Sequence, residues 1–292
     1  MADESPMQAS AAGSDAPTPK KSRAGRDLPA AIGVGVSLGA TIIVILVFAP
    51  MAWYGIVSVA FIVATWEVTK RLRDGGYDVA FGPLVGGGQA IIWSGWPFGT
   101  TGILAATAGT VLVVMVWKLL AQGIGSAPEN YLRNVAASVL VVVWLPLPAS
   151  FGALLVTEDH GAGRVATLVL VVVCSDVGGY AAGVLFGKHA MAPAISPKKS
   201  WEGLIGSLLV GTVGAVGSMV FLIDSRWWVG LILGPALVVC ATLGDLVESQ
   251  VKRDLGIKDM GTLLPGHGGI MDRLDSLLPS AFLVWAVLTA LL

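Results

Sequence analysis

The sequence predicts an all-α polytopic membrane protein, a bundle of about nine transmembrane helices. Three observations carry that expectation. Of 292 residues, 55% are hydrophobic and only 13% charged, against roughly 25% charged in a soluble domain. Apolar runs of membrane-spanning length recur along the chain. The basic residues between them fall almost wholly on one side. The mean hydropathy of +0.79 agrees, and a net charge of -1 gives no general attraction for a nucleic acid. The 38 glycines suit helices that approach closely in lipid. Cys174 and Cys240 lie in apolar runs without metal-type spacing and read as reduced, packed thiols.

Residues 1–27 are rich in Ala, Ser, Pro and charge, and read as a disordered tail. The tail closes on Lys20, Lys21, Arg23 and Arg26, directly before an apolar run. That run is about 22 residues long, beyond the roughly 7–15 of a signal-peptide core, so it reads as a retained first span. At about 20 apolar residues per crossing, spans are expected near 28–49, 51–69, 79–96, 101–120, 132–156, 165–186, 202–223, 227–247 and 277–292. The third is the weakest, because Gly86, Gly87 and Gly88 interrupt it. With an inner N-terminus, only Arg164 and Arg226 of the 18 Lys and Arg fall outside, as the positive-inside rule requires. The tail and the polar stretch 244–276 are thereby expected in the cytoplasm.

Polar residues gather in two places. Asp176 lies about midway along the sixth span, where a carboxylate costs roughly 2.5–3.5 kcal/mol on insertion scales. Gly179, Tyr180 and Gly183 share its face by helical spacing. Two readings stay open: a packing seam with a hydrogen-bonded Asp, or a site lining. The segment 187–203 follows, kept irregular by Pro193 and Pro197. Its Lys198 and Lys199, beside Ser196 and Ser200, either bind phosphate oxygens or mark the membrane edge. His189 reads as interfacial. Glu67, beside Lys70 and Arg71, reads as snorkelling or ion-paired.

The second gathering is the stretch 244–276. Asp245, Glu248, Ser249 and Lys252 fall on one helical face. Gly256 and Gly261 break the helix, and Pro265 to Gly269 must turn. Glycines there allow backbone amides to approach an anion. Asp272 and Asp275 then open the last helix, at the positive end of its dipole. Oxygen-only ligands of this kind suit Mg²⁺, which borrows further oxygens from a substrate phosphate. Metal and lysines together would neutralise a triphosphate and support in-line transfer. The plain alternative is a solvated charged loop. The continuity of the acidic faces with membrane spans favours a site. No nucleophile elbow, Walker loop or His/Cys metal spacing occurs.

The run carrying Ser249, Lys252, Arg253, Lys258, Asp259, Gly261, Leu264, Pro265, His267, Gly268, Gly269, Asp272, Arg273 and Asp275 is gapless over residues 249–275. It resembles the signature of the phosphatidate cytidylyltransferases, or CDP-diacylglycerol synthases. Ser175, Asp176 and Tyr180, then Gly187 and Lys188, then Ser196 to Gly203, also resemble that family. Ser200 stands where many members carry Thr, which keeps the hydroxyl. The resemblance implies that residues 28–292 form an integral membrane catalytic domain, often dimeric. The implied reaction takes CTP and phosphatidic acid to CDP-diacylglycerol and pyrophosphate. It implies Mg²⁺, alone or with a second cation, with Asp245 and Asp272 as principal ligands. Asp275, Ser249 and Lys252 are implied in the same catalytic site. Asp176, Lys198, Lys199, Lys258, His267 and Arg273 are the expected substrate-binding residues, although His267 equally suits a brace for the turn. The expected setting is the inner (plasma) membrane, with phosphatidic acid entering from the inner leaflet and CTP from the cytosol. The rival readings are a CTP-dependent transferase on another lipid phosphate, a secondary transporter and an inactive scaffold. Transporters place their polar groups near the bilayer midplane, unlike this loop, and intact Asp245, Asp272 and Lys252 oppose the scaffold.

Overall fold

The computed structural model describes residues 28–123, 125–263 and 268–292. The expected tail, 1–27, and His267 lie outside the described residues. The described chain is all-α apart from one small hairpin. Its helices are α1 (Leu28–Phe48), α2 (Ala52–Asp74), α3 (Phe81–Leu120), α4 (Tyr131–Trp144), α5 (Pro146–Leu154) and α6 (Gly161–Phe186), followed by α7 (Trp201–Phe221), α8 (Trp227–Asp254), α9 (Met271–Leu274) and α10 (Leu277–Leu291). In lipid the backbone must satisfy its own hydrogen bonds, so the apolar runs become helices.

By length and composition, seven helical stretches among the described residues can cross a membrane, where about nine spans were expected. The difference lies in α3 and α1, one span each. The 40 residues of α3 run together the expected third and fourth spans, and the backbone leaves helical geometry only at Gly99 (φ 56°, ψ -145°). A side chain would be strained there, which is why glycine serves. Beyond Gly99 the chain doubles back, because the bare backbone of Gly87 lies against the side chain of Thr110. A straight helix would hold those two residues about 35 Å apart. In α1 the described apolar stretch is the shorter Gly39–Phe48. The expected fifth span is α4 and α5 in series, broken at Leu145 before Pro146 and ending in a 3-10 turn, Leu155–Thr157.

The segment read as irregular, 187–203, holds a short antiparallel hairpin, β1 (Ala190–Ala192) and β2 (Ser196–Ser200). Ala190 faces Ser200 and Ala192 faces Ser196, with an irregular register between them. A two-stranded ribbon has only edges, so Pro197 costs it no central ladder bond.

Helices α6, α7, α8 and α10 position the polar residues. Between α6 and α7, Gly178 and Gly206 bring backbone onto backbone. A Cβ on either would stand 2.5–2.6 Å from the other's carbonyl oxygen. Ser207 Oγ fixes the register by donating to the Ser175 carbonyl at 2.7 Å. Between α8 and α10, Gly244 rests on the carbonyl of Asp275, which sets Asp245 beside the start of α10. Leu233, Leu237, Met271 and Val284 are fully buried around these contacts. Gly206→Val is expected to destabilise the bundle by at least about 1–3 kcal/mol, the range for overpacking, read as a fall in melting temperature in detergent. Gly217→Val, where an added Cβ meets nothing within 4 Å, is expected to leave the melting temperature unchanged.

Candidate active site

The two polar gatherings of the sequence meet at one end of α6, α7, α8 and α10. The β-hairpin leans over the cleft between α6 and α8. Arg253 on α8 holds its tip by donating from Nε to the Ile195 carbonyl at 3.2 Å. Glu202 holds its neck, accepting from the amides of Lys188 and His189 at 3.2 and 3.3 Å and lying 2.6 Å from His189 Nδ1. The His189 expected at the interface therefore has a partner. Ser200 closes the hairpin and caps α7, its Oγ accepting from Gly203 N at 3.1 Å. Under this flap lies a cavity of about 330 Å³, lined among others by Ser175, Asp176, Gly179, Lys198, Lys199 and Asp245. Tyr180 and Gly183 line the same cavity as Asp176.

Asp245 forms the near wall. Lys199 Nζ lies 2.5 Å from its Oδ2 and donates to the Thr242 carbonyl at 3.3 Å. Ser249 Oγ donates to Asp245 Oδ1 at 3.3 Å. One turn further along α8, Lys252 Nζ stands between two carboxylates, 2.7 Å from Glu248 Oε2 and 2.9 Å from Asp272 Oδ1. The end of α8 is set by Gly256, whose φ of +67° turns the chain so that Ile257 N reaches back to the Lys252 carbonyl at 2.9 Å. The chain then returns to α9, and its amides converge on Asp272. Oδ2 accepts from Met260 N at 3.0 Å and Gly269 N at 2.8 Å, with Gly261 N at 3.4 Å. Asp275 Oδ1 accepts from Ser276 N at 2.7 Å.

Asp245, Glu248 and Asp275 each offer a carboxylate oxygen within 4.8 Å of the others. Glu248 is fully buried, and its Oε1 has no donor among the described residues. Two unit charges about 4 Å apart repel by about 4 kcal/mol at an effective dielectric of 20. With Asp272 the group holds four carboxylates and two ammonium groups, those of Lys199 and Lys252. The oxygen-only donor set and the Glu248 oxygen without a donor among the described residues are compatible with a divalent cation.

The structure thus brings together Asp176, Lys198, Lys199, Asp245, Ser249, Lys252, Asp272 and Asp275 from the expected set. Lys258 is exposed on the segment after α8 and does not line the cavity. Arg273 is exposed on α9, between Asp272 and Asp275. Asp272 is engaged with Lys252 and backbone amides, and the carboxylate that completes the close trio with Asp245 and Asp275 is Glu248. Glu248 lies on the helical face that the sequence shares out among Asp245, Ser249 and Lys252, but it is absent from the expected site set. Its spacing, three from Asp245 and four before Lys252, is the signal that points to it. Glu67 is neither snorkelling nor paired with its neighbours. Its side chain is 1% exposed, and Oε2 accepts from Met271 N at 2.9 Å.

The model of the cytidylyltransferase family matches residues 29–291. A protein of Mycobacterium bovis named phosphatidate cytidylyltransferase is 54% identical over 283 residues, covering 94% of this chain and 92% of that one. The protein of the same name in Mycobacterium leprae is 52% identical over 280 residues, 92% of this chain and 90% of its own. One in Staphylococcus saprophyticus is 36% identical over 166 residues, 56% of this chain and 63% of its own. With the family model matched from residue 29 to 291 and a relative 54% identical over 94% of this chain, the chain belongs to the cytidylyltransferase family.

Proposed function

We propose that this protein transfers the cytidylyl group of CTP to phosphatidic acid, giving CDP-diacylglycerol and pyrophosphate. The observation that carries the reading is the trio of Asp245, Glu248 and Asp275, flanked by Lys199 and Lys252 beside a cavity at the helix ends. A phosphate oxygen of the lipid attacks the α-phosphorus of CTP. The bond from that phosphorus to the bridging oxygen breaks, and pyrophosphate leaves with the electron pair. The lipid phosphate is ionised at neutral pH, so no general base is needed. What the protein supplies is alignment of two anions and relief of their repulsion.

In this reading Asp245, Glu248 and Asp275 hold Mg²⁺, with Asp272 joined to the same set through Lys252. Bound Mg²⁺ supplies charge neutralisation on the nucleotide phosphates. Lys198 and Lys199 take phosphate oxygens beneath the hairpin, and Ser249 orients Asp245. Asp176 lines the far wall of the cavity. Lys258, Arg273 and His267 are assigned to the approach of substrate. The setting is the inner membrane, multi-pass, with the tail 1–27 and the site in the cytoplasm and residues 28–292 as the catalytic domain. Phosphatidic acid then enters from the inner leaflet, CTP from the cytosol, and two copies form a homodimer.

Label transfer from CTP into lipid by detergent-purified protein tests the reaction. Labelled CDP-lipid is expected with phosphatidic acid and Mg²⁺, and none with chelator. Product with a different lipid phosphate only would keep the chemistry and change the substrate. No product with any lipid would overturn the reading. Asp272→Asn is expected to lower turnover by about 100- to 1,000-fold, the scale for losing one preorganised charge contact, while inserting and purifying normally. Wild-type turnover in that variant would remove Asp272 from the site. Lys252→Met strands the carboxylates of Glu248 and Asp272, whose side chains are 0% and 6% exposed. Breaking a buried pair in this way costs about 3–5 kcal/mol, so a clear fall in melting temperature is expected. An unchanged melting temperature would show that the carboxylates do not depend on Lys252.

A further inference from the structure

Glu67 sits in the inner half of α2, a helix that lines no part of the cavity. Its partner, the amide of Met271, opens α9, the turn that carries Asp272. Oε1 has no hydrogen-bond donor among the described residues. The carboxylate is wedged against two glycines instead, since a Cβ on Gly261 or on Gly269 would collide with it. One turn along α2, Arg71 Nε donates to the Met260 carbonyl at 2.9 Å. Helix α2 therefore grips the chain at two places, Met260–Gly261 and Gly269–Met271.

Those are the residues that serve Asp272 from the other side. Met260 gives its carbonyl to Arg71 and its amide to Asp272. Gly261 and Gly269 rest on Glu67 and turn their amides toward Asp272 Oδ2. Two carboxylates thus stand on opposite faces of the same short backbone segments. The buried one fixes the backbone, and the backbone fixes the one at the site. Asp272 in turn holds Lys252 and, through it, Glu248.

We infer that Glu67 is a positioning residue for the reaction, acting through the amides of Met260, Gly261 and Gly269 on Asp272. The catalytic consequence rests on the proposed cytidylyl transfer; the anchoring does not. The test uses the full-length chain in detergent, with Glu67→Ala and with Glu67→Gln, which keeps an acceptor oxygen. Hydrogen–deuterium exchange is read at Met260, Gly261, Gly269 and Met271, and transfer kinetics are read per folded molecule. Glu67→Ala is expected to raise exchange at those amides while the rest of the bundle is unchanged. It is expected to lower kcat about 100-fold, the scale for a reacting group displaced by about 1 Å, with a smaller change in the KM for CTP. Glu67→Gln is expected to restore both. Unchanged exchange at those amides would overturn the inference, as would a uniform rise across the bundle with kcat per folded molecule intact. Should Glu67→Ala not fold, Gly269→Ala presses a methyl on the same carboxylate and carries the same two readouts. If the wild type makes no CDP-lipid, the proposed reaction fails by itself, and the exchange data still decide the anchor.

Discussion

The ammonium of Lys252, held between Glu248 and Asp272, is the contact on which the rest of the site depends. Glu248 comes from α8 and Asp272 from α9, so the contact joins a membrane helix to the segment that returns across its end. Both carboxylates are almost wholly out of solvent. A buried charge without a partner is costly, so removing one member of such a contact is strongly destabilising. Helical spacing supplies the first half of the contact, since Glu248 and Lys252 are one turn apart on α8. The second half requires the backbone of Met260, Gly261 and Gly269 to be in place, because their amides share Asp272 with Lys252.

Membrane packing decides where this contact can stand. Close approach of α8 and α10 at Gly244 brings Asp245 to Asp275, and close approach of α6 and α7 at Gly178 and Gly206 leaves room beside Asp176 for the cavity. Small residues let helix backbones touch in lipid, where apolar side chains gain nothing by leaving one another's company for the acyl chains. The charges then collect at helix ends, under a hairpin that is polar and partly exposed. A site so placed can meet a lipid headgroup and a water-soluble nucleotide together.

Much of this was legible in the sequence, for physical reasons that differ by element. The all-α membrane fold follows from runs too apolar and too long for anything else. Asp245, Ser249 and Lys252 could be read as one face because helical periodicity is local. Asp272 and Asp275 could be added because only a glycine-broken turn separates them from α8. The hairpin at 190–200 was not legible, since Pro193 and Pro197 oppose strands in general and are tolerated only in a ribbon that is all edge. The span count differs in part because two limbs of α3 join at a single glycine whose backbone geometry no composition reveals, and in part because the described apolar stretch of α1 is short. Glu67 was misread because Lys70 and Arg71 are its neighbours in sequence, whereas its partner lies 204 residues away.

In the proposed reaction Asp245, Glu248 and Asp275 together hold a divalent cation. Binding of Mn²⁺ to the purified protein, followed by electron paramagnetic resonance without lipid or turnover, is the decisive measurement. Saturable binding is expected that Mg²⁺ displaces, and that Asp245→Asn and Glu248→Gln each abolish. Saturable binding that survives both substitutions would place the cation elsewhere, and no binding by the wild-type chain either alone or with CTP would remove it from the site.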